Sequence, residues 1–367
     1  MAASPTLLRE ASDEEVGSCD EAARGVSASA RRRQLTLAGV VFLATGMMVA
    51  GACLVAAAVT SGRPAASVVP EQLRPQQAFQ QPSAPLSFGG VGTGSRFVEH
   101  PIARLPAIPS AQIEVRMLGQ DVHGSHVVGH LATLANPLGR VSLALPPGGC
   151  GTRELTTVTA MAHRPRCKFA VNAGYFNVTD GACIGNVVSH GRTIQTVPLE
   201  QGNVNFGIRG DKFVIGYLTP EEMRGFDHVV SGVVWLVRDG KNNVQQGWDE
   251  ANITVQTSGT KYASKHASRT AVGFDSAGRL MVIQIDGSIA VGVGRGMNMT
   301  QLADTLIQHG AINAINLDGG GSSAMARNGV LVNYPSDQRP PSCDASGLYQ
   351  CERPVSTVLC LHEKLAQ

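Results

Sequence analysis

Beyond residue 110, apolar and polar positions mostly alternate with period two, and only a few windows repeat at helical spacing. Alternation of that kind sends successive side chains to opposite faces of a strand, so it predicts sheet. Strands are expected over 112–118, 126–135 and 141–145, the third stopped by Pro146, Pro147, Gly148 and Gly149. More are expected over 169–173, 186–189, 193–197, 205–208, 213–218 and 229–237, and a hairpin joins 270–274 to 279–285 across Ser276, Ala277 and Gly278. Segments 311–317, 330–333 and 355–361 complete the set. Helical spacing is clearest over 298–309: Met299, Leu302, Ala303, Leu306 and Ile307 share a face, Asn298 caps the start and Gly310 ends the run. Shorter helices are expected at 155–163 and from Thr219 and Pro220, while 241–268 reads mostly as loop. Many strands with few helices predict an α+β fold: one domain over 110–367, built on a mixed, largely antiparallel β-sheet flanked by a few helices.

The pattern before residue 110 is different. Residues 35–60 are almost wholly apolar, and no charge falls between Arg33 and Arg63. At 1.5 Å rise per residue that run reaches roughly 39 Å, long enough to cross a bilayer as a transmembrane helix. Arg31, Arg32 and Arg33 precede it, so the positive-inside rule expects a type II signal anchor: residues 1–34 form a disordered cytoplasmic tail and the body of the chain lies in the lumen. A cleaved signal peptide, cut among the small residues near Ala56–Ala58, is the competing reading. Residues 61–109 hold eight of the nineteen prolines and a glutamine cluster, a composition expected of an extended stem.

Charge is nearly balanced at +2, which gives no footprint for nucleic acid. Six of the eight cysteines (Cys150, Cys167, Cys183, Cys343, Cys351 and Cys360) fall in the expected lumenal part, an even number that suits disulfides in any of fifteen connectivities. None has the spacing of a zinc site. Asn177, Asn252 and Asn298 each begin an N-glycosylation sequon, in keeping with a lumenal membrane glycoprotein. His123, His126 and His130 have metal-like spacing, but on an alternating strand only 126 and 130 share a face, so no metal is expected there.

The segment 311–325, AINAINLDGGGSSAM, carries the densest chemistry. Read with period two, Ile312, Ala314, Asn316 and Asp318 share one face and Asn313, Ile315 and Leu317 the other. The strand thus delivers Asp318 at its end, before Gly319, Gly320 and Gly321, whose amides could converge on an anion, with Ser322 and Ser323 as further donors. Asp286-Gly287 ends the 280–285 strand in the same way, which could bring two carboxylates to one rim, as glycosidic chemistry uses. The alternative for both is an ordinary Asp-Gly turn. Asn172, Gly174, Tyr175 and Phe176 form a second strand end that could hold a sugar, and Arg269, opening a third strand, could grip a phosphate. No GxSxG, HExxH, Walker A or GxGxxG motif is present.

The ordered blocks NAGYF (172–176), CIGNVVSHGR (183–192), FGIRGD (206–211), GYLTPEE (216–222), SGVVWLVRDG (231–240), SRTAVGF (268–274), NAINLDGGGSS (313–323), YPSD (334–337) and RPVSTVLCLHE (353–363) resemble the phosphodiester glycosidase family. The resemblance implies a Golgi hydrolase that needs no cofactor. It would remove N-acetylglucosamine from GlcNAc-phospho-mannose on the phosphorylated N-glycans of glycoproteins, exposing mannose 6-phosphate for lysosomal targeting. It also implies the pairs Cys150–Cys183, Cys167–Cys360 and Cys343–Cys351, and allows a homo-oligomer. Within it Asp318 and Asp286 become the base or nucleophile and its partner. Arg269 and the Gly319–Gly321 amides hold phosphate, Asn172 and Asn316 orient sugar hydroxyls, and Ser322 or Ser323 adds a phosphate bond. A different sugar-1-phosphodiester, or an idle glycan-binding protein using the same rim, are the alternatives. Animal members carry a membrane span at their C-terminal end after an EGF-like module, whereas here the apolar run lies near the N-terminus.

Overall fold

The computed structural model describes residues 96–104, 110–163, 167–252, 261–287, 296–337 and 351–364. The expected tail, the apolar run 35–60 and most of the expected stem lie outside these residues. No described helix is long and apolar enough to cross a membrane.

Three sheets make up the described fold. The first has the order β1 (Phe97–Pro101), β9 (Lys212–Gly216), β8 (Asn205–Arg209), β10 (His228–Ser231), β6 (Val187–Ser189) and β7 (Arg192–Gln195). The second, which carries the start of the 311–325 segment, runs β12 (Lys241–Asn242), β11 (Trp235–Arg238), β15 (Ala311–Asn316), β13 (Arg269–Asp275), β14 (Leu280–Ile285), β3 (His126–Leu134) and β2 (Ile113–Gln120). The third is β17 (Val330–Leu331), β16 (Met325–Arg327), β5 (Cys167–Asn172), β18 (Val358–His362) and β4 (Val141–Ala144). Every strand ladder among the described residues is antiparallel, so the expected mixed sheet resolves into three antiparallel ones.

Side-chain alternation explains how the sheets stack. From the seven-stranded sheet, Val272, Phe274, Val282, Ile315 and Leu317 enter a core shared with Phe206 and Ile215 of the first sheet and Phe169, Val171 and Leu359 of the third. The alternate residues Ala271, Ile283, Ile285 and Ala314 face the other way, beneath Leu302 and Leu306 of α3 (Met299–Gln308) and Trp248 of α2 (Val244–Glu250). Helix α3 starts with a reciprocal capping box: Asn298 accepts from the Gln301 amide and the Gln301 side chain accepts from the Asn298 amide. Disulfides join Cys150 to Cys183 and Cys167 to Cys360, as the family resemblance implies; Cys343 of the third pair lies outside the described residues.

Several expectations need correction. The stem is expected to run to residue 109, yet Phe97–Pro101 forms β1 and pairs in full register with β9. Its alternation is only five residues long and sits amid prolines, so composition hid it. The single strand expected over 229–237 is two strands in different sheets, β10 and β11. They part at Gly232, where a Cβ would stand 2.2 Å from the Asn316 carbonyl oxygen, so only glycine lets the chain cross there. Thr219 and Glu222 do exchange the backbone bonds of a helix start, but the chain makes only turns before Gly225 takes a φ of +81°. The expected loop 241–268 contains α2, whose Val244, Gly247 and Trp248 are buried beside β11. Among the sequons, Asn177 is exposed, whereas Asn298 is half-buried at the helix cap.

Candidate active site

Strand β13 lies between β14 and β15, and their register decides where the two Asp-Gly ends go. Arg269 pairs with Ile285 and Ala271 with Asn316, so Asp286 and Asp318 emerge on either side of the start of β13, roughly two strand spacings (about 10 Å) apart. Both strands therefore end at the same edge. The pleat then separates the side chains. Asp286 follows Val282 and Gln284 onto the three-sheet core side, while Asp318 follows Ala314 and Asn316 onto the other. The pairing of two carboxylates across one cleft is not what forms.

Asp318 is held by its backbone. Its amide donates to the Ala173 carbonyl at 3.0 Å, and its own carbonyl accepts from Asn172 Nδ2 at 2.7 Å. Asn172 is fully buried, and its Oδ1 accepts from Thr270 Oγ1 at 2.8 Å and the Ala324 amide at 3.1 Å. It thus ties β5, β13 and the glycine turn together and presents nothing to a sugar; the expected contact is corrected to a positioning role.

Asp318 is half-buried as a residue, and protein surrounds its carboxyl. Loss of water is therefore the largest influence, raising its pKa to about 6. A hydrogen bond from Ser322, the charge of Arg353 and the Gly319 amide, 2.9 Å from Oδ1, hold it from rising further. Arg353 is itself fixed by Nε donating to Asp337 Oδ2 at 2.7 Å and Nη1 donating to Ser322 Oγ at 3.1 Å. This arginine was not picked out from the sequence as a site residue, though the RPVSTVLCLHE block contains it.

The glycine turn serves packing more than anion binding. The Gly319 amide is spent on Asp318, and the Gly320 amide donates to the Ser268 carbonyl at 3.0 Å. A Cβ on Gly321 would lie 2.1 Å from Arg353 Nη2, so this glycine makes room for the guanidinium. Ser322 reaches the carboxylate, whereas Ser323 is buried, close to Thr270 Oγ1 (3.5 Å), with its carbonyl accepting from Asn333.

Other expected contacts move as well. Arg269 is 1% exposed; Nε donates to the Met297 carbonyl and Nη2 to the Tyr262 and Lys265 carbonyls. Two of its N–H groups thus clamp the 262–265 turn and a third ties that turn to Met297, so it is not free to grip a phosphate with them. Gly174 donates its amide to Thr357 Oγ1 and packs against Val230, and Phe176 is buried in the core with Val158 and Val355. Both are buried. Asp286 Oδ1 accepts from Gln284, Asn333 and the Tyr334 amide, and burial raises its pKa against those bonds. It supports the turn through Asn333, which also bonds the Ser323 carbonyl.

On the Asp318 side of the sheet, Asn316 and Tyr175, both singled out from the sequence, meet Tyr262, which the sequence does not single out. Asn316 Nδ2 donates to Tyr175 Oη at 2.6 Å and to the Leu317 carbonyl at 2.8 Å. Tyr175 Oη lies 2.6 Å from Tyr262 Oη. The Tyr262 ring stacks on Trp248, 6.3 Å between centroids, and the Arg269 guanidinium lies 4.9 Å from its centre. Burial raises the pKa of both tyrosines; the Arg269 guanidinium opposes the rise, and the charge of Asp318 adds to it. Among the described residues no set of three His, Cys, Asp or Glu side chains is placed to hold a metal; His123 lies 3.6 Å from Asp304 instead.

Comparison with known proteins adds a family. The model of a family described as phosphodiester glycosidase matches residues 165–362. Human N-acetylglucosamine-1-phosphodiester alpha-N-acetylglucosaminidase is 38% identical over 272 residues, 71% of this chain and 51% of that protein. The mouse protein of the same name is 39% identical over 262 residues, 69% of this chain and 49% of that protein. The chain spans about half the length of the curated relatives it matches. Among solved structures, the catalytic domain of the zebrafish enzyme of that name, auto-inhibited by its pro-peptide, is similar with a TM-score of 0.64. It is 34% identical, and the match covers 74% of this chain and 89% of that one.

Proposed function

The chain belongs to the phosphodiester glycosidase family, and from that premise we propose that it hydrolyses sugar-1-phosphodiesters, releasing N-acetylglucosamine from GlcNAc-α-1-phospho-mannose. The observation that carries this reading is the carboxylate of half-buried Asp318, held beside a fixed arginine by the Asp318–Ser322–Arg353 contacts. A phosphodiester needs its charge balanced while water or a nucleophile is directed at the anomeric carbon. Arg353, rather than Arg269, supplies the positive charge at the rim. Asp318, ionised above about pH 6, serves as base or nucleophile. The names of the human, mouse and zebrafish relatives support N-acetylglucosamine as the sugar.

The wider setting is proposed with it. Phosphorylated N-glycans of glycoproteins are the substrate, and the product is the exposed mannose 6-phosphate. A Golgi or other secretory-pathway lumen, behind an N-terminal anchor, is supported by two disulfides and by the exposed sequon at Asn177. The direct test incubates the purified chain with a panel of sugar-1-phospho-mannosides and measures free sugar. Release of N-acetylglucosamine in preference to glucose or galactose is expected. Faster release of another sugar moves the substrate, and binding without release of any sugar refutes the hydrolase reading.

A further inference from the structure

The hydroxyl protons beside Asp318 can be assigned by counting donors. Asn316 Nδ2 has two protons, and its bond to the Leu317 carbonyl at 2.8 Å fixes the amide with nitrogen on that side. The second proton goes to Tyr175 Oη at 2.6 Å. Tyr175 is 4% exposed, and its one proton has no acceptor among the described residues except Tyr262 Oη, 2.6 Å away. Running the bond the other way would strand a buried phenolic proton, which is costly. Tyr262 Oη therefore accepts from Tyr175, and its own proton is left to point outward. Asn316 Oδ1, on the same face, has no partner, so it does not take that proton. Asn316 and Asp318 lie two residues apart on one face, so Tyr262 Oη, two hydrogen bonds from Asn316, stands on the Asp318 side of the sheet. Trp248 on one side and Arg269 on the other fix the Tyr262 ring, so the donor is oriented before a ligand arrives.

We propose that Tyr262 is a catalytic residue that donates a hydrogen bond to the oxygen linking sugar to phosphorus, opposite Asp318, at the end of a donor relay running from Asn316 through Tyr175. The assignment rests on the hydrolase reading above. When the bond from the anomeric carbon to that oxygen breaks, its electron pair stays on the oxygen and the leaving phosphomonoester gains a second negative charge. The hydroxyl of water goes to the anomeric carbon, and the other proton of water leaves through Asp318. Tyr262 keeps its proton: the departing oxygen is far less basic than a phenolate, and the phenol is raised further by burial. Its contribution is a bond that strengthens as charge develops.

The experiment compares wild type, Tyr262→Phe, Tyr175→Phe and a chain carrying 3-fluorotyrosine at position 262, all checked for an unchanged far-UV spectrum and thermal midpoint. With a GlcNAc-α-1-phospho-mannoside, Tyr262→Phe is expected to lower kcat ~100-fold with KM within about twofold, and Tyr175→Phe to lower kcat ~10-fold. The fluorinated phenol, a stronger donor, is expected to equal or exceed wild type. The ¹⁹F resonance at position 262 is expected to shift on adding α-GlcNAc-1-phosphate. Full kcat in Tyr262→Phe, beside an active wild type, overturns the assignment and leaves the hydrolase reading intact. If wild type releases no sugar, the hydrolase reading fails, and the resonance still decides the contact: a signal unmoved at saturating α-GlcNAc-1-phosphate overturns it.

Discussion

The Asn172 side chain donates to the backbone carbonyl of Asp318 at 2.7 Å, across 146 residues of chain. The bond closes a square in which β5 holds the end of β15, and the same amide oxygen receives Thr270 from β13. Replacing Asn172 with Ala leaves the Asp318 carbonyl and the Ala324 amide unpaired in the interior, and Thr270 Oγ1 with only its 3.5 Å contact to Ser323 Oγ. A stability loss of about 2–3 kcal/mol is expected by urea denaturation, with a fall in kcat larger than any change in KM. A stable Asn172→Ala variant with raised KM alone would restore the direct sugar contact expected from the sequence.

Arg353 and Arg269 are predicted to differ in kind. Arg353→Gln should chiefly lower kcat/KM, ~100-fold, because its charge bears on Asp318. It should also cost stability, because the buried Asp337 loses its ion pair with that arginine. Arg269→Gln should instead lower stability by about 3 kcal/mol, since three carbonyls lose a buried donor. The pair of denaturation curves with steady-state kinetics decides it. The opposite pattern would put Arg269 on the phosphate after all.

Asp318 sets an acid limb. Its carboxyl is raised to about 6 by loss of water, so the ionised form is lost as pH falls through that value. Log kcat/KM should therefore fall with unit slope below pH about 6. Arg353 holds that pKa down, so Arg353→Gln should move the limb to higher pH. A limb that stays put in that variant would show that another group controls it.

His228 gives a stability limb of its own. It is buried, and its Nδ1 accepts from the Leu143 and His190 amides at 3.3 Å each. Burial first, then the charges of His190 and His362, lower its pKa to about 4 from 6.5. Between those values the unfolded chain binds the proton and the folded one does not, so stability is full above pH about 6.5 and falls toward pH 4. The limit is about 3 kcal/mol, at about 1.4 kcal/mol per pH unit. Thermal midpoints across pH 4–7 should show this slope, and His228→Asn, which keeps an acceptor, should flatten it.

Hydrolysis in ¹⁸O-labelled water should place the label in the released sugar, because Asp318 and Tyr262 are set to act on the two sides of the anomeric bond. Label in the phosphomonoester would mean attack at phosphorus and would remove both assignments.

What the sequence determined by itself was local. Alternation showed β13, β14, β15 and the hairpin between the first two, and Asn298 with Gly310 marked α3 to within a residue. The same alternation put Asn316 and Asp318 together on one face, since period two is a property of a single strand. The order of blocks was enough to place the chain in its family. Short or interrupted patterns failed: β1 is five residues among prolines, and the break at Gly232 is invisible until Asn316 passes beneath it.

Tertiary structure alone decided which side chains meet. Asp286 and Asp318 end parallel-looking motifs, but their opposite parity on strands flanking β13 sends them to different faces. Arg353 reaches Ser322 from beyond the end of the sheet, and Tyr262 reaches Tyr175 from a loop with no periodicity. Such pairings depend on strand order and register, which are fixed by burying the three-sheet core, and no pattern along one segment encodes them. The sequence therefore named the carboxylate, and only the folded chain supplied the arginine and the phenol beside it.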